Sequence, residues 1–304
     1  MADPGRIVIA GGTGLIGTAL IEHFQKFGHE VVVLTHTHGK AKRGVHAEYW
    51  DGKSQGVWAS QLEGAEAVIN LSGSPIAVLW TPANRKQILE SRVNPTRAIG
   101  EAIANLQSPP KVWLNASAIG FYGNTGSRQV DEGAGPGPNF LGDTCLKWER
   151  AMDAFPTPNT RKVRLRFGQV LAREGGYLPP MVRLTSLFLG GSAGNGQQYV
   201  SWVHIRDVCK MTRWALNEEG IEGPLNVTGP LPVTNGTFMR TLRRVVGRPY
   251  CPPIPGFMIY LASQFNHVES ALVLEGQNVT PAKALNNGFK FEFLNVEQAL
   301  QNLV

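Results

Sequence analysis

A chain of 304 residues with 42% apolar and 17% charged side chains has enough apolar material for one large α/β domain plus a smaller lobe, which excludes a disordered or low-complexity polymer. The formal net charge of +6 is scattered, apart from a cluster at Arg240, Arg243, Arg244 and Arg248 that a solvated helix face explains, so no nucleic-acid partner is expected; a mild positive field also suits a polyanionic cofactor. No apolar run reaches the roughly 18 residues of a membrane span, no signal peptide is visible, and Cys145, Cys209 and Cys251 are odd in number without CxxC spacing. The expectation is a cytoplasmic protein with no membrane anchor, disulfide frame or metal site. The first apolar run, Arg6 to Ala10, reads as a buried strand that passes directly into Gly11-Gly12-Thr13-Gly14-Leu15-Ile16-Gly17. An amphipathic helix, Leu15 to Phe27, and a second strand, Glu30 to Leu34, complete a βαβ unit. In that context Gly11 allows the tight turn, Gly14 lets backbone approach a pyrophosphate, and Gly17 lets helix pack on strand. The first-turn N–H groups then face the phosphates. A βα turn shaped by glycines with no ligand is the plainer alternative.

Further strands are expected at Ala47 to Trp50, Ala67 to Leu71, Val112 to Ala116 and Val163 to Phe167, with helical patterns between most of them: the rhythm of a Rossmann-type, doubly wound parallel sheet. The longest helix begins at Thr81-Pro82 and runs toward Leu106, with Asn94-Pro95 expected to kink or restart it. Asn139 to Asp153 is the next. Beyond about residue 170 the alternation fades into loops at Gly175-Gly176, Pro179-Pro180 and Gly190 to Gly196. Val203 to Glu218 reads as a helix, Leu225 to Val227 as a strand, Gly236 to Val246 as a helix and Pro249 to Pro255 as a connector. The expected division is a dinucleotide-binding domain over 1–170, with 201–227 returning to it, and a smaller substrate lobe of 171–200 and 228–304.

The end of the second strand carries no Asp or Glu to hold a ribose diol. Thr35, His36 and Lys40 stand there, with Lys42 and Arg43 behind, which favours NADP over NAD. His204 and Asp207 flank a helix start, where Asp207 is expected as the cap and His204 as a group that reaches the cleft. Gly190 to Gly196 with Gln197 and Gln198 reads as a substrate lid or as a long loop. Trp148 and Trp202 read as core aromatics.

These motifs converge on a family. Together with Asn70-Leu71-Ser72-Gly73, Ser91-Arg92-Val93, Ser117-Ala118-Ile119-Gly120-Phe121-Tyr122-Gly123, Lys147-Trp148-Glu149 and Ser201 to Asp207, the glycine turn resembles the extended or atypical short-chain dehydrogenase/reductases. Leu274-Glu275-Gly276-Gln277 with Pro281 is similar to the additional C-terminal domain of their epimerase-like branch. The resemblance implies that Leu71, Ser72 and Gly73 line the adenosine path, that Asp51 sits near the adenine, that Gln87 and Arg92 face the cofactor from the long helix, and that Val170 closes over the nicotinamide. It also implies a Tyr-x-x-x-Lys pair, from which this chain departs. Lys147 takes the lysine place, but the tyrosine place is Asp143, the serine is Ser117 rather than residue 118, and Arg92 replaces an asparagine. Ser117, Tyr122 and Lys147 are the expected catalytic set, with Tyr122 alternatively a structural tyrosine. The expected activity is an NADP-dependent oxidoreductase or epimerase on a small polar substrate, a nucleotide-sugar among the candidates, with a homodimer as a possible assembly. A non-catalytic NADP-binding sensor is the other reading, since the tyrosine is missing.

Overall fold

The computed structural model describes residues 4–36 and 45–304. Seven strands form one sheet: β1 (Arg6–Ala10), β2 (Glu30–Thr35), β3 (His46–Tyr49), β4 (Ala67–Asn70), β5 (Val112–Ala118), β6 (Arg161–Phe167) and β7 (Gly223–Val227). Every neighbouring pair is parallel, in the order β7-β6-β5-β4-β1-β2-β3. The winding therefore reverses between β1 and β4, which opens a crevice above the carboxyl end of β1.

Helices cover both faces, so the central strands β1, β2 and β4 are apolar runs rather than alternations. Along β1, Ile7 and Ile9 enter one core while Val8 and Ala10 enter the other, all at 0% exposure. The isoleucine and valine side chains each contribute roughly 1.5–3 kcal/mol of burial, and the alanine less. The helices along the chain are α1 (Leu15–Lys26), α2 (Pro82–Ala104), α3 (Phe140–Asp153), α4 (Leu178–Ser186), α5 (Ile205–Asn217), α6 (Asn235–Val246), α7 (Gly256–Asn266), α8 (Ala271–Leu274), α9 (Ala282–Asn286) and α10 (Val296–Leu303). Leu20, Ile21 and Phe24 of α1 and Val208 and Met211 of α5 pack on the first face; Ala98, Ile99 and Ala102 of α2 and Met152 of α3 pack on the second. A further core joins Leu178, Trp202, Phe238, Leu242, Phe293 and Leu300 in the C-terminal part.

Four local expectations are corrected. The long helix does not restart at Asn94-Pro95 but runs as one helix through Pro95, which is buried within it together with Thr96, Ala98 and Ile99; that burial offsets the roughly 3 kcal/mol that an interior proline costs. Residues 203 and 204 are not helical: Trp202–His204 is a strand paired with Gln169–Leu171, and α5 starts at Ile205. The cap roles are reversed as well. His204 is the N-cap, with Nδ1 accepting from the Arg206 N–H at 3.0 Å, while the Asp207 carboxylate accepts from the N–H groups of Glu292 and Phe293 at 2.8 and 3.1 Å. The 190–196 loop is pinned rather than poised as a lid. Asn235 Oδ1 accepts from the Ala193 N–H, the Gly194 N–H donates to Ile254 O, and a Cβ on Gly191 would overlap Pro252 O.

Candidate functional site

β1 delivers Gly11 into the crevice with φ +76°, and a Cβ there would lie 2.9 Å from the Leu71 carbonyl carbon, so glycine is the residue that fits. At Gly17 a Cβ would stand 2.5 Å from Gly12 Cα, because α1 crosses the turn at that point. The N-terminus of α1 is thereby brought to the crevice with bare backbone. Gly14 is its N-cap without any side-chain acceptor, and its first turn has no acidic residue. Unpartnered N–H groups at the positive end of a helix dipole stabilise an anion.

Two cavities meet at this turn and share Gly11, Gly14 and Leu71. The outer one, about 690 Å³, brings together Thr13, Thr35, His36, Asp51, Ser72, Gly73 and Gln87, all singled out from sequence. Lys40, expected beside them, lies outside the described residues. Asp51 is ionised and already occupied: its Oδ1 accepts from the N–H groups of Lys53 and Ser54 at 2.8 and 2.9 Å, and the Ser54 hydroxyl donates to Oδ2. The Ser54 hydroxyl bond, with those two amides, holds the Asp51 pKa down at about 2. Lys53 also lines this cavity. Sequence reasoning missed it, although the Asp51-Gly52 turn that presents it was a usable signal.

The inner cavity, about 470 Å³, is lined by Leu15, Ile16 and Gly17 of α1, Arg92 of α2, Ser117 of β5 and Val170. Its walls are largely apolar, from Ile76, Trp80, Ile88, Leu141 and Trp148, so Trp148 is a cleft residue as well as a buried one. The roof comes from Ala271 and Leu272 of α8 with Glu275 and Gln277, which no local signal marked as part of a site. Two polar atoms of the lining residues, Thr144 Oγ1 and Gln169 Oε1, are buried without a partner among the described residues. Orphans of this kind cost about 1–3 kcal/mol each, which a ligand that pairs with them would recover. Among the described residues Arg92 donates to neutral oxygens alone, through Nη1 to Ile88 O (2.9 Å) and Ser91 Oγ (3.4 Å) and through Nη2 to Ser74 O (3.0 Å). Burial lowers its pKa.

Of the expected catalytic set, the structure brings only Ser117 to the cavity. Its hydroxyl donates to Glu149 Oε1 at 2.7 Å, and that carboxylate is held two-pronged by Arg166 Nε and Nη2, both at 2.8 Å. Tyr122 is turned away into the core. Its hydroxyl donates to Asn226 Oδ1 at 2.7 Å and accepts from Arg166 Nη1 at 2.9 Å, and burial pushes its pKa up to about 12. Lys147 is on the outer face of α3, half exposed and paired with Asp143 at 2.8 Å. The face of α3 that lines the cavity carries Leu141, Thr144, Cys145 and Trp148 instead. The pair of positions one turn apart on that face is thus Leu141 and Cys145, two residues out of phase with the expected pair. Cys145 offers no thiolate near neutrality, because burial raises its pKa to about 12. No group of His, Cys, Asp or Glu among the described residues could hold a metal ion.

Comparison with known proteins adds family relationships to this geometry. The sequence pattern of the NAD dependent epimerase/dehydratase family matches residues 7–139, and that of a domain of unknown function, DUF1731, matches residues 254–303. The chain is 34% identical to the epimerase family protein YfhF of Bacillus subtilis over 98% of its own length and 97% of that protein's. It is 32% identical to the chloroplastic epimerase family protein SDR39U1 homolog of Arabidopsis thaliana, covering 98% of this chain and 86% of that one. Among solved structures, human epimerase family protein SDR39U1 (isoform 2) with NADPH superposes with a TM-score of 0.87 at 31% identity, covering 98% of both chains. Among the described residues no helix is long and apolar enough to cross a membrane.

Proposed function

Since the chain belongs to the NAD-dependent epimerase/dehydratase family, we propose that it is an NADP-dependent oxidoreductase or epimerase-like enzyme acting on a small polar carbonyl or alcohol. One observation carries this reading: a continuous cleft runs from the outer cavity over the bare N-terminus of α1 into an inner cavity where the hydroxyl-bearing residues Ser117 and Thr144 meet. The residues present fit the cofactor. The α1 N-terminus suits the diphosphate, His36 and Lys53 suit a 2′-phosphate where no carboxylate ends β2, and the orphaned Gln169 Oε1 beside Val170 suits the carboxamide. The similar human protein was solved with NADPH, which supports NADP for this chain.

When bound, the reduced cofactor supplies a hydride at its nicotinamide end. The chain's own task is then to hold the substrate oxygen and handle a proton. Among the lining residues, the unpartnered Thr144 hydroxyl can donate to a carbonyl oxygen, and Ser117, whose one proton goes to Glu149 Oε1, does so by turning that proton from Glu149 to the substrate. Neither has a pKa near neutrality, so proton transfer is less well matched than with a tyrosine–lysine pair and slow turnover follows. Three buried free cysteines suit a reducing compartment, the cytoplasm for this chain, while the Arabidopsis relative is chloroplastic.

The test is a fluorescence titration with NADPH and NADH, followed by single-turnover absorbance of bound NADPH against a carbonyl panel. NADPH should bind at least about tenfold tighter than NADH, and hydride loss should slow in Ser117→Ala. Tight NADPH binding with a silent panel would favour the second reading, an NADP-binding sensor, which the absence of a tyrosine–lysine pair from the cavity wall supports. Failure to bind either nucleotide would remove both.

A further inference from the structure

We propose that α7 and the neighbouring loop 187–189 form one apolar surface that docks the protein peripherally on an anionic lipid bilayer. The inference stands apart from the cofactor cleft. Residues 249–268 contain no Asp, Glu, Lys or Arg, and prolines at 249, 252, 253 and 255 interrupt the run before α7 begins. Within α7 only Ser263 is buried, with Gly256 and Ile259 half-buried on the same face, so the helix rests on the protein by one narrow stripe. Phe257, Met258, Tyr260, Leu261 and Phe265 cover the rest, each half or more exposed, Phe257 at 67% and Phe265 at 81%. A helix that is apolar all round belongs in an apolar medium. At 11 residues it is roughly 16 Å long, about half of a bilayer's hydrocarbon core, so it can lie in a membrane surface and not cross it. The absence of a spanning run, on which the expectation of no membrane anchor rested, does not bear on a helix lying flat.

The apolar surface continues from α7 to the end of α4. The Ile254 N–H donates to Ser192 O at 2.8 Å and a Cβ on Gly191 would overlap Pro252 O, so the chain entering α7 lies against the loop that follows α4. Leu187, Phe188 and Leu189 are each more than half exposed there. Phe188 holds φ +61° just past the helix end, where glycine is the usual residue, so this exposed ring is kept in place against its backbone preference. Contiguous apolar surface on this scale marks a contact with a protein or a membrane.

Charge selects between the two. Segments 175–206 and 223–268 contain six arginines and no Asp or Glu. Arg206 and Arg244 pair with Glu292 and Glu297. Arg243 and Arg248 instead donate to the main-chain oxygens of Gly190 and Ser186, at 3.3 and 3.1 Å, and Arg248 Cζ lies 5.0 Å from the Phe188 ring centroid. Cationic heads are thereby fixed at the border of the apolar loop. Glu269, the first acidic residue after α7, accepts from the Trp80 N–H at 3.4 Å. An apolar face bordered by arginines matches an anionic leaflet, where the acyl region takes the side chains, the headgroups take the guanidinium groups, and Tyr250 and Tyr260 suit the boundary between them. A second copy on a two-fold axis would present the same arginine border, with no carboxylate in these segments to meet it.

The experiment is cosedimentation of the full chain with large vesicles of phosphatidylcholine alone and of phosphatidylcholine with phosphatidylglycerol, alongside sedimentation velocity without lipid. Binding to the phosphatidylglycerol vesicles should be at least about tenfold tighter than to the neutral ones and should weaken as salt is raised. Phe257→Ser combined with Phe265→Ser should weaken it at least about tenfold, while the melting temperature holds within about 3 °C because both side chains are exposed. Arg183→Gln combined with Arg248→Gln should lower the preference for anionic vesicles at least about fivefold. No sedimentation with either vesicle at about millimolar lipid, equal binding to both, or an unchanged preference in the arginine variant overturns the proposal. So does a phenylalanine variant that binds as the wild type does, since adsorption would then be electrostatic alone. A dimer that this variant dissolves, with no uptake on vesicles, would assign the face to a second copy and overturn it too. None of these readouts depends on nucleotide binding or turnover.

Discussion

Lys147 and Ser117 sit at opposite ends of usefulness, and single substitutions separate them. The Lys147–Asp143 pair is half exposed on both sides, and such pairs contribute at most about 1 kcal/mol. Lys147→Ala should therefore leave NADPH affinity and turnover unchanged and shift the melting temperature by less than about 3 °C. Ser117→Ala removes a hydroxyl from the cavity wall, and hydride transfer in the single-turnover assay should slow by about 10²-fold. Tyr122→Phe should spare that rate but cost about 1–3 kcal/mol in urea unfolding, because Asn226 Oδ1 and an Arg166 N–H lose a buried partner. A Lys147 variant without activity would restore the sequence-based role of that lysine, and a Ser117 variant with full activity would remove Ser117 from the reaction. The reason Lys147 misses the cavity is geometric. A Tyr-x-x-x-Lys template fixes spacing but not phase, and on a helix with about 3.6 residues per turn a two-residue offset swings the pair roughly 200° to the far side. The glycines at 11 and 17 were readable because their constraint is local: a positive φ and a backbone contact five residues away.

Elements were readable where the apolar period was unambiguous and failed where a β-forming dipeptide adjoined a helix. Trp202 and Val203 continue the periodicity of α5, yet parallel pairing with Gln169 and Val170 holds them as strand and leaves His204 at the junction. That position makes His204 a pH-sensitive part of the helix start. Its ring stacks on Phe293 with centroids 3.8 Å apart, Nδ1 accepts from the Arg206 N–H and Nε2 lies 3.2 Å from Asn302 Oδ1. Burial, aided by Arg206, lowers its pKa to about 4. Between that value and the unfolded value of about 6.5 the unfolded chain binds the extra proton, so stability falls as pH drops through this window and is insensitive to the group above it. The loss from His204 amounts to about 3 kcal/mol at full protonation. His204→Asn keeps a cap acceptor for Arg206 and should flatten the stability curve of urea unfolding between about pH 6.5 and 4; His23, lowered to about 4 chiefly by burial, leaves a residual slope in both proteins. An unchanged slope would show that the imidazole takes up its proton in the fold at the same pH as in the unfolded chain.

At the scale of the molecule, the sheet could be read from sequence because each strand announces itself, whereas the cavity roof could not, because its contacts join residues 76 to 153 apart. The Thr125 N–H donates to Gly276 O at 3.1 Å, the Asn278 N–H to Thr125 Oγ1 at 2.8 Å, and the Ser201 hydroxyl to Gln277 O at 2.7 Å. Asn278–Val279 pairs in parallel with Gln129–Val130, and a Cβ on Gly276 would meet Tyr199 N and O at 2.5 Å. This knitting fixes the 271–277 segment above the inner cavity while α1 forms its floor. A dinucleotide that spans floor and roof has to protect both together. Saturation with NADPH at about 100 times its dissociation constant adds about 2.7 kcal/mol to stability, and amide hydrogen exchange should slow in the 11–17 turn and in 271–277 with the same dependence on NADPH concentration. Protection confined to the turn would mean that the nicotinamide end does not reach the roof, and the oxygen-holding role of Ser117 and Thr144 would fall with it. Ser201→Ala tests the same connection from the other side: it unties the roof without touching the glycine turn, so it should raise basal exchange in 271–277 and leave the NADPH protection of 11–17 in place.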